Sequence, residues 1–209
     1  MNAIHLLSVV STRERLEAPE AKARLEFLDD LAAGLARIYQ VSCHVHEEPF
    51  LADFAYDPVR GQYHSTAILQ RLQSLSGDPE TWFLGITSVD LYIPILTFVF
   101  GEAQLNGRCA LVSLHRLREE FYGLPANPKL LAERAAKEAV HELGHVLGLR
   151  HCHDWRCVMT STHDVERLDL KSEEYCAACL ALTPLKKPAP RGPEVFSAFG
   201  SFRDEKKNS

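Results

Sequence analysis

The stretch His141-Glu142-Leu143-Gly144-His145-Val146-Leu147-Gly148-Leu149-Arg150-His151 closes a long helical pattern and carries five chemically loaded positions at fixed spacing. Residues four apart on a helix share a face, so His141 and His145 can direct their imidazoles at one metal ion. Glu142 lies one step round the helix, within reach of a water on that metal. Gly148 is predicted to end the helix in a left-handed conformation that a β-branched residue would resist. The chain then turns back, and His151 supplies a third nitrogen. Three protein ligands leave one tetrahedral position open, the arrangement of a catalytic zinc rather than a closed structural one. A lone histidine on a helix is most often a core or surface residue; here five positions coincide.

Immediately downstream, Cys152, Cys157, Cys176 and Cys179 crowd into one short stretch, whereas Cys43 and Cys109 stand alone in strand-like surroundings. Four thiolates so placed suit a closed tetrahedral zinc site that staples the loop carrying His151 and Met159 to a C-terminal helix. The alternatives are four unrelated thiols or a redox Cys-x-x-Cys, and the second leaves Cys152 and Cys157 unexplained.

With these residues in view, the chain resembles the metzincin clan of zinc metallopeptidases, whose motif is followed by a methionine turn. Met159 is its only methionine besides the first residue. The run His151-Cys152, Cys157-Val158-Met159 and Cys176-Ala-Ala-Cys179 resembles the archaemetzincin family more closely still. The sixteen residues between Met159 and Cys176 are one fewer than the family's spacing, a departure expected to fall in a loop. The likeness is specific over 141–179, weaker over Leu84–Tyr92 and Phe98–Val112, and absent from the tail.

That resemblance implies a metzincin-like α/β fold, two zinc ions (one catalytic, one structural) and metalloprotease activity with Glu142 as general base. It supplies no substrate. Some metzincins place a tyrosine near the metal where this chain has Ser161, so His153, His163 and Tyr175 are weighed as assisting groups against a plain surface role. An extended substrate is expected along an exposed edge strand, assigned to Leu96–Glu102 by order in the chain. Glu102 there would favour a basic or amino-terminal substrate group.

Upstream, strand and helix patterns alternate. Ile4–Val10 reads as a buried strand, and Leu25, Leu28, Ala32, Leu35 and Ile38 recur at helical spacing after Pro19. Val41–His46 reads as a second strand, Leu51–Gln62 as a loop and His64–Leu75 as a short helix. Trp82–Ser88, Leu96–Gly101 and Arg108–Leu114 follow as strands, the last after an Asn106-Gly107 turn. Asn127 and Pro128 open the long helix as N-cap and first-turn residue. This order predicts an α/β fold with a mixed, mostly parallel twisted sheet and packed helices, plus a small zinc-stapled C-terminal lobe. The expected organisation is an N-terminal lobe over 1–148, a C-terminal lobe over 149–186 and a flexible tail over 187–209.

The 209 residues suit one compact domain, and 46% hydrophobic with 24% charged residues is ordinary for a globular protein. A net charge of −5 offers no basic field for nucleic acid or an anionic membrane. No apolar run reaches the roughly 18 residues of a membrane span. The N-terminal stretch lacks a basic leader and a small-residue cleavage site, so a cytoplasmic location with reduced thiols is expected. The expected partner is a peptide or protein substrate; oligomeric state is not legible. The competing reading is a latent or non-catalytic zinc-stabilised peptide-binding module.

Overall fold

A computed structural model describes residues 2–13, 18–75 and 78–185. In chain order the elements are β1 (Ala3–Val10), α1 (Ala18–Tyr39), β2 (Ser42–Leu51), β3 (Tyr56–Asp57), β4 (Gln62–His64), α2 (Ser65–Gln73), β5 (Thr81–Thr87), β6 (Leu91–Tyr92), β7 (Gly101–Ala103), β8 (Cys109–Ser113), α3 (Pro128–Val146), α4 (Val165–Leu170) and α5 (Ala177–Leu180). The main sheet runs β2-β1-β5-β8-β7, and a small sheet runs β3-β4-β6. β1 pairs parallel with β2 and β5, and β5 with β8; β7 alone runs antiparallel, at the edge beside β8.

The inner strands are near-continuous apolar runs because both faces of the sheet are covered. Alternate residues serve alternate layers. Ile4, Leu6, Leu84, Ile86, Ala110 and Val112 point towards Leu28 and Leu35 of α1 and Ala135, Ala139, Val140 and Leu143 of α3. Leu7, Val9, Phe83 and Leu111 face Ile68, Leu69 and Leu72 of α2 on the other side. The alternating order of strands and helices therefore yields the mixed, mostly parallel sheet that the sequence predicts.

Local departures have local causes. The expected strand over Val41–His46 runs on to Leu51, and the expected loop over Leu51–Gln62 holds β3 and the start of β4. The expected strand over Leu96–Gly101 is displaced: the edge strand is Gly101–Ala103. Pro94 has no N–H for a ladder, and Leu96 N donates instead to Ile93 O in a turn. Arg60 Nη2 takes the carbonyls of Leu96 and Thr97 at 2.9 and 3.0 Å, and Gln62 Nε2 also donates to Thr97 O. Those apolar residues line a cleft instead of extending the sheet. The expected tail over 187–209 lies outside the described residues. No described helix is long and apolar enough to cross a membrane.

α3 begins as its sequence dictates, with Asn127 Oδ1 accepting from Leu130 N at 3.1 Å and Pro128 in the first turn. Its flank is fixed by charge. Arg134 donates to Asp169 and Glu119, and Lys171 Nζ meets Glu138 Oε1 at 2.9 Å with both side chains buried. Removing one member of such a pair strands a charge in the interior, whereas replacing both with apolar groups does not. Lys171→Ala is expected to cost about 3–5 kcal/mol in reversible unfolding of the zinc-loaded protein, and Glu138→Leu/Lys171→Met to recover most of that. A loss below about 1 kcal/mol for Lys171→Ala would show that the pair does not hold the α3 flank.

Candidate metal centres and active-site cleft

Two donor sets converge. One ligand atom from each of His141, His145 and His151 lies within 4.8 Å of the others, and the Sγ atoms of Cys152, Cys157, Cys176 and Cys179 do likewise. The structure thus brings together all seven residues that the sequence singles out as metal ligands.

The histidine set is oriented by backbone carbonyls. His141 Nδ1 lies 2.7 Å from Val158 O and His145 Nδ1 2.8 Å from Leu149 O. A carbonyl only accepts, so each Nδ1 carries the proton and each Nε2 keeps its lone pair for a metal. The two Nε2 atoms stand 3.2 Å apart, and the His151 ring centroid sits 5.3 and 5.0 Å from those of His141 and His145. Burial pulls His141 down to about 4 and lowers His145 and His151 as well, so all three are neutral near pH 7. Neutral imidazoles on an open three-nitrogen set fit a catalytic zinc.

His151 reaches this set because of how α3 ends. Gly148 N donates to His145 O and Leu149 N to Gly144 O, the double bond of a Schellman turn, with Gly148 at φ +92°. A Cβ on Gly148 would also run into Asn106 Oδ1. Asn106 N donates to His145 O, so the β7–β8 turn supports the same helix end.

Glu142 is buried beside the triad. Burial pushes its carboxyl well above the usual range, Glu138 adds to the shift, Lys171 opposes it and Glu102 adds a smaller part. Its side chain lies against Gly101 of β7, where a Cβ would come within 2.6 Å of Glu142 Oε1 and 2.8 Å of Leu111 O. Only glycine lets the edge strand pass so close. Beneath the helix Gly144 plays a similar part: a Cβ there would strike Met159 Sδ and approach Tyr175 Cε1. Met159 is fully buried.

The cysteine set is sewn by N–H···S bonds. Cys176 N donates to Cys157 Sγ at 3.3 Å, Cys179 N to Cys176 Sγ at 3.5 Å and Asp154 N to Cys152 Sγ at 3.4 Å. The bond from Cys179 N pulls the Cys176 thiol down. All six cysteines are free thiols. Burial pushes Cys43 and Cys109 up to about 11, which marks them as inert packing residues. The clustered four fit a closed thiolate site for zinc.

The triad opens into a cleft of about 740 Å³, walled by Ile93, Leu96, Phe98, Val99 and Phe100 above and by Ser161–His163 below. Ser161 and His163 line this cleft, and His153 is exposed outside it. Tyr175 points elsewhere: its hydroxyl donates to Val140 O at 2.9 Å and meets Tyr39 Oη at 2.6 Å, so it braces α3 against α1. Glu102 lines the cleft, with its oxygens held by Ser65 Oγ and Thr66 Oγ1 at the start of α2. Sequence reasoning missed Gly101, Lys171 and Arg60. Of these only Gly101 left a signal, as a glycine within a strand pattern.

Comparison with known proteins gives the chain its family. Residues 40–186 match the model of Peptidase family M54. The chain is 49% identical over 138 residues to the archaemetzincin of Methanocaldococcus jannaschii, covering 66% of this chain and 75% of that protein. It is 43% identical over 157 residues to that of Thermococcus kodakarensis, covering 74% and 82%. Among solved structures, the zinc-dependent peptidase of Methanocorpusculum labreanum superposes with a TM-score of 0.74 at 27% identity, covering 86% of this chain and 98% of that one. The archaemetzincin of Archaeoglobus fulgidus, solved with malonate, gives a TM-score of 0.68 at 34% identity with the same coverage. Family match, sequence likeness and fold agree: the chain belongs to peptidase family M54, the archaemetzincins, and is a zinc metallopeptidase.

Proposed function

We propose that this chain hydrolyses peptide bonds at the His141–His145–His151 centre, with Glu142 as general base. The observation that carries this reading is a buried carboxyl beside three converging neutral imidazoles, at the floor of an open cleft. A zinc ion held by the three histidines would supply Lewis acidity, polarising the peptide carbonyl and bringing the pKa of a water to about 7. Glu142 takes the proton of the attacking water and returns it to the leaving amine. Burial raises its pKa above the usual carboxyl range, which makes it a stronger base towards the water proton than an exposed glutamate.

The four cysteines would hold a second, structural zinc, giving two ions per chain and stapling residues 149–186 as a small lobe against residues 1–148. Substrate lies extended along β7, whose outer side has no strand partner among the described residues, and pairs through its main chain. With Glu102 facing the cleft, a basic or amino-terminal group is favoured at that end. His163 is the cleft-lining histidine placed to assist. A cytoplasmic setting, where thiols stay reduced, suits a metal site built from four clustered cysteines.

Glu142→Ala is expected to abolish cutting of a diverse peptide pool, read by mass spectrometry, while zinc content stays unchanged. Cuts by the parent alone establish the peptidase and reveal endo- or aminopeptidase preference. No cuts by fully zinc-loaded parent would favour the latent or peptide-binding reading. Gly101→Ala should lower turnover by about 10²-fold with zinc retained, because the new methyl displaces the base and a misplacement near 1 Å costs that much. Wild-type turnover in that variant would show that Glu142 does not depend on β7. Cys176→Ser should remove one of two zinc equivalents and lower thermal stability, and unchanged metal content would rule out the four-cysteine site.

A further inference from the structure

Three of the ten histidines stand together at the opposite edge of the sheet from the cleft. His44 and His46 are alternate residues of β2, so their side chains share one face. His5 of β1 is the register partner of His44, and Leu7 that of His46, which sets the His5 ring on the same face beside both. His5 Nδ1 lies 2.7 Å from His46 Nε2, with ring centroids 4.9 Å apart; the His5 and His44 centroids are 5.3 Å apart. Phe83 backs His5 edge-on at 5.6 Å. A His-x-His pair on one strand with a third imidazole on its neighbour offers three borderline nitrogen donors, which suits zinc, nickel or copper and not calcium or magnesium.

The geometry points to a third metal site, in which His5, His44 and His46 hold one borderline divalent ion and clamp β1 to the edge strand β2. With Zn–N bonds near 2.0–2.1 Å, tetrahedral nitrogens stand about 3.3 Å apart, so the His5–His46 pair opens by roughly 0.6 Å on binding. Unlike the other two donor sets, these three do not yet converge on one point, and the exposed His44 ring, which makes no hydrogen bond among the described residues, turns inward on binding. His5 is already set up as a ligand: it is half-buried, with its ring held edge-on against Phe83. Four strand spacings separate β2 from β7, about 19 Å, so occupation of this site leaves the cleft untouched. Among the described residues β2 has a sheet neighbour on one side only, and a metal across β1 and β2 adds a second tie in their register.

The test is a zinc titration of full-length protein whose histidine and cysteine centres are already loaded. It is followed through the ring nitrogens of ¹⁵N-histidine by NMR and through bound metal by equilibrium dialysis. One further equivalent should bind, with the His5, His44 and His46 signals moving together and the midpoint of heat unfolding rising. His44→Gln and His46→Gln, both on the open edge strand, should each weaken that equivalent by about tenfold or more, and the double variant should lose it along with the thermal shift. Uptake that stops at the loaded centres overturns the proposal. So does undiminished binding by His44→Gln, because a plain His5–His46 hydrogen bond needs no third ligand.

Discussion

One backbone reversal governs how the histidine set of this molecule comes together. At Gly148 the chain takes a left-handed conformation, closes two hydrogen bonds back onto α3, and sends His151 towards His141 and His145. A helix alone presents two nitrogens on one face; the third has to arrive from a segment running against it. That segment needs a residue without a Cβ at the turn, both for its φ and for Asn106 packed against it. The same turn places Leu149 O where it fixes the His145 tautomer, so ligand geometry and ligand chemistry follow from one bend.

Close approach is the second constraint, and it explains why α3 touches its neighbours through glycine. β7 passes over Glu142 at Gly101, and Met159 packs under the helix at Gly144. The helix is gripped from above and below within a single turn. Charge is handled in the same way: Glu142 has no ion-pair partner among the described residues, while Glu138 one turn earlier is matched by Lys171. An unpaired buried carboxyl raises its own pKa, and a paired one stays an anion without disturbing the fold. Two acids on one helix thus receive different characters from their surroundings alone.

Much of this was legible beforehand. The spacing of His141, His145 and His151 and the crowding of four cysteines announce two donor sets, because metal geometry leaves few ways to place ligands on a helix and a turn. The apolar runs of β1, β5 and β8 announce a sheet covered on both faces. What stayed hidden depends on distant partners. Leu96–Gly101 has the composition of a strand, yet Arg60 and Gln62, more than thirty residues upstream, take its carbonyls and turn it into a cleft wall. Tyr175 looks like a candidate at the metal until Tyr39 and Val140 are seen to claim its hydroxyl. Lys171 carries no local mark at all; its role exists only once α3 lies against it.

Cys157, Val158 and Met159 are consecutive, and each does separate work: a thiol of the cysteine cluster, the carbonyl that orients His141, and the block beneath Gly144. Three independent geometrical demands on three neighbouring residues leave no slack in chain length. A single insertion between Cys157 and Met159 would throw both centres out of alignment at once. Residues 157–159 are therefore the fixed ruler of this molecule: one short run of chain sets the position of the cysteine set relative to the histidine set.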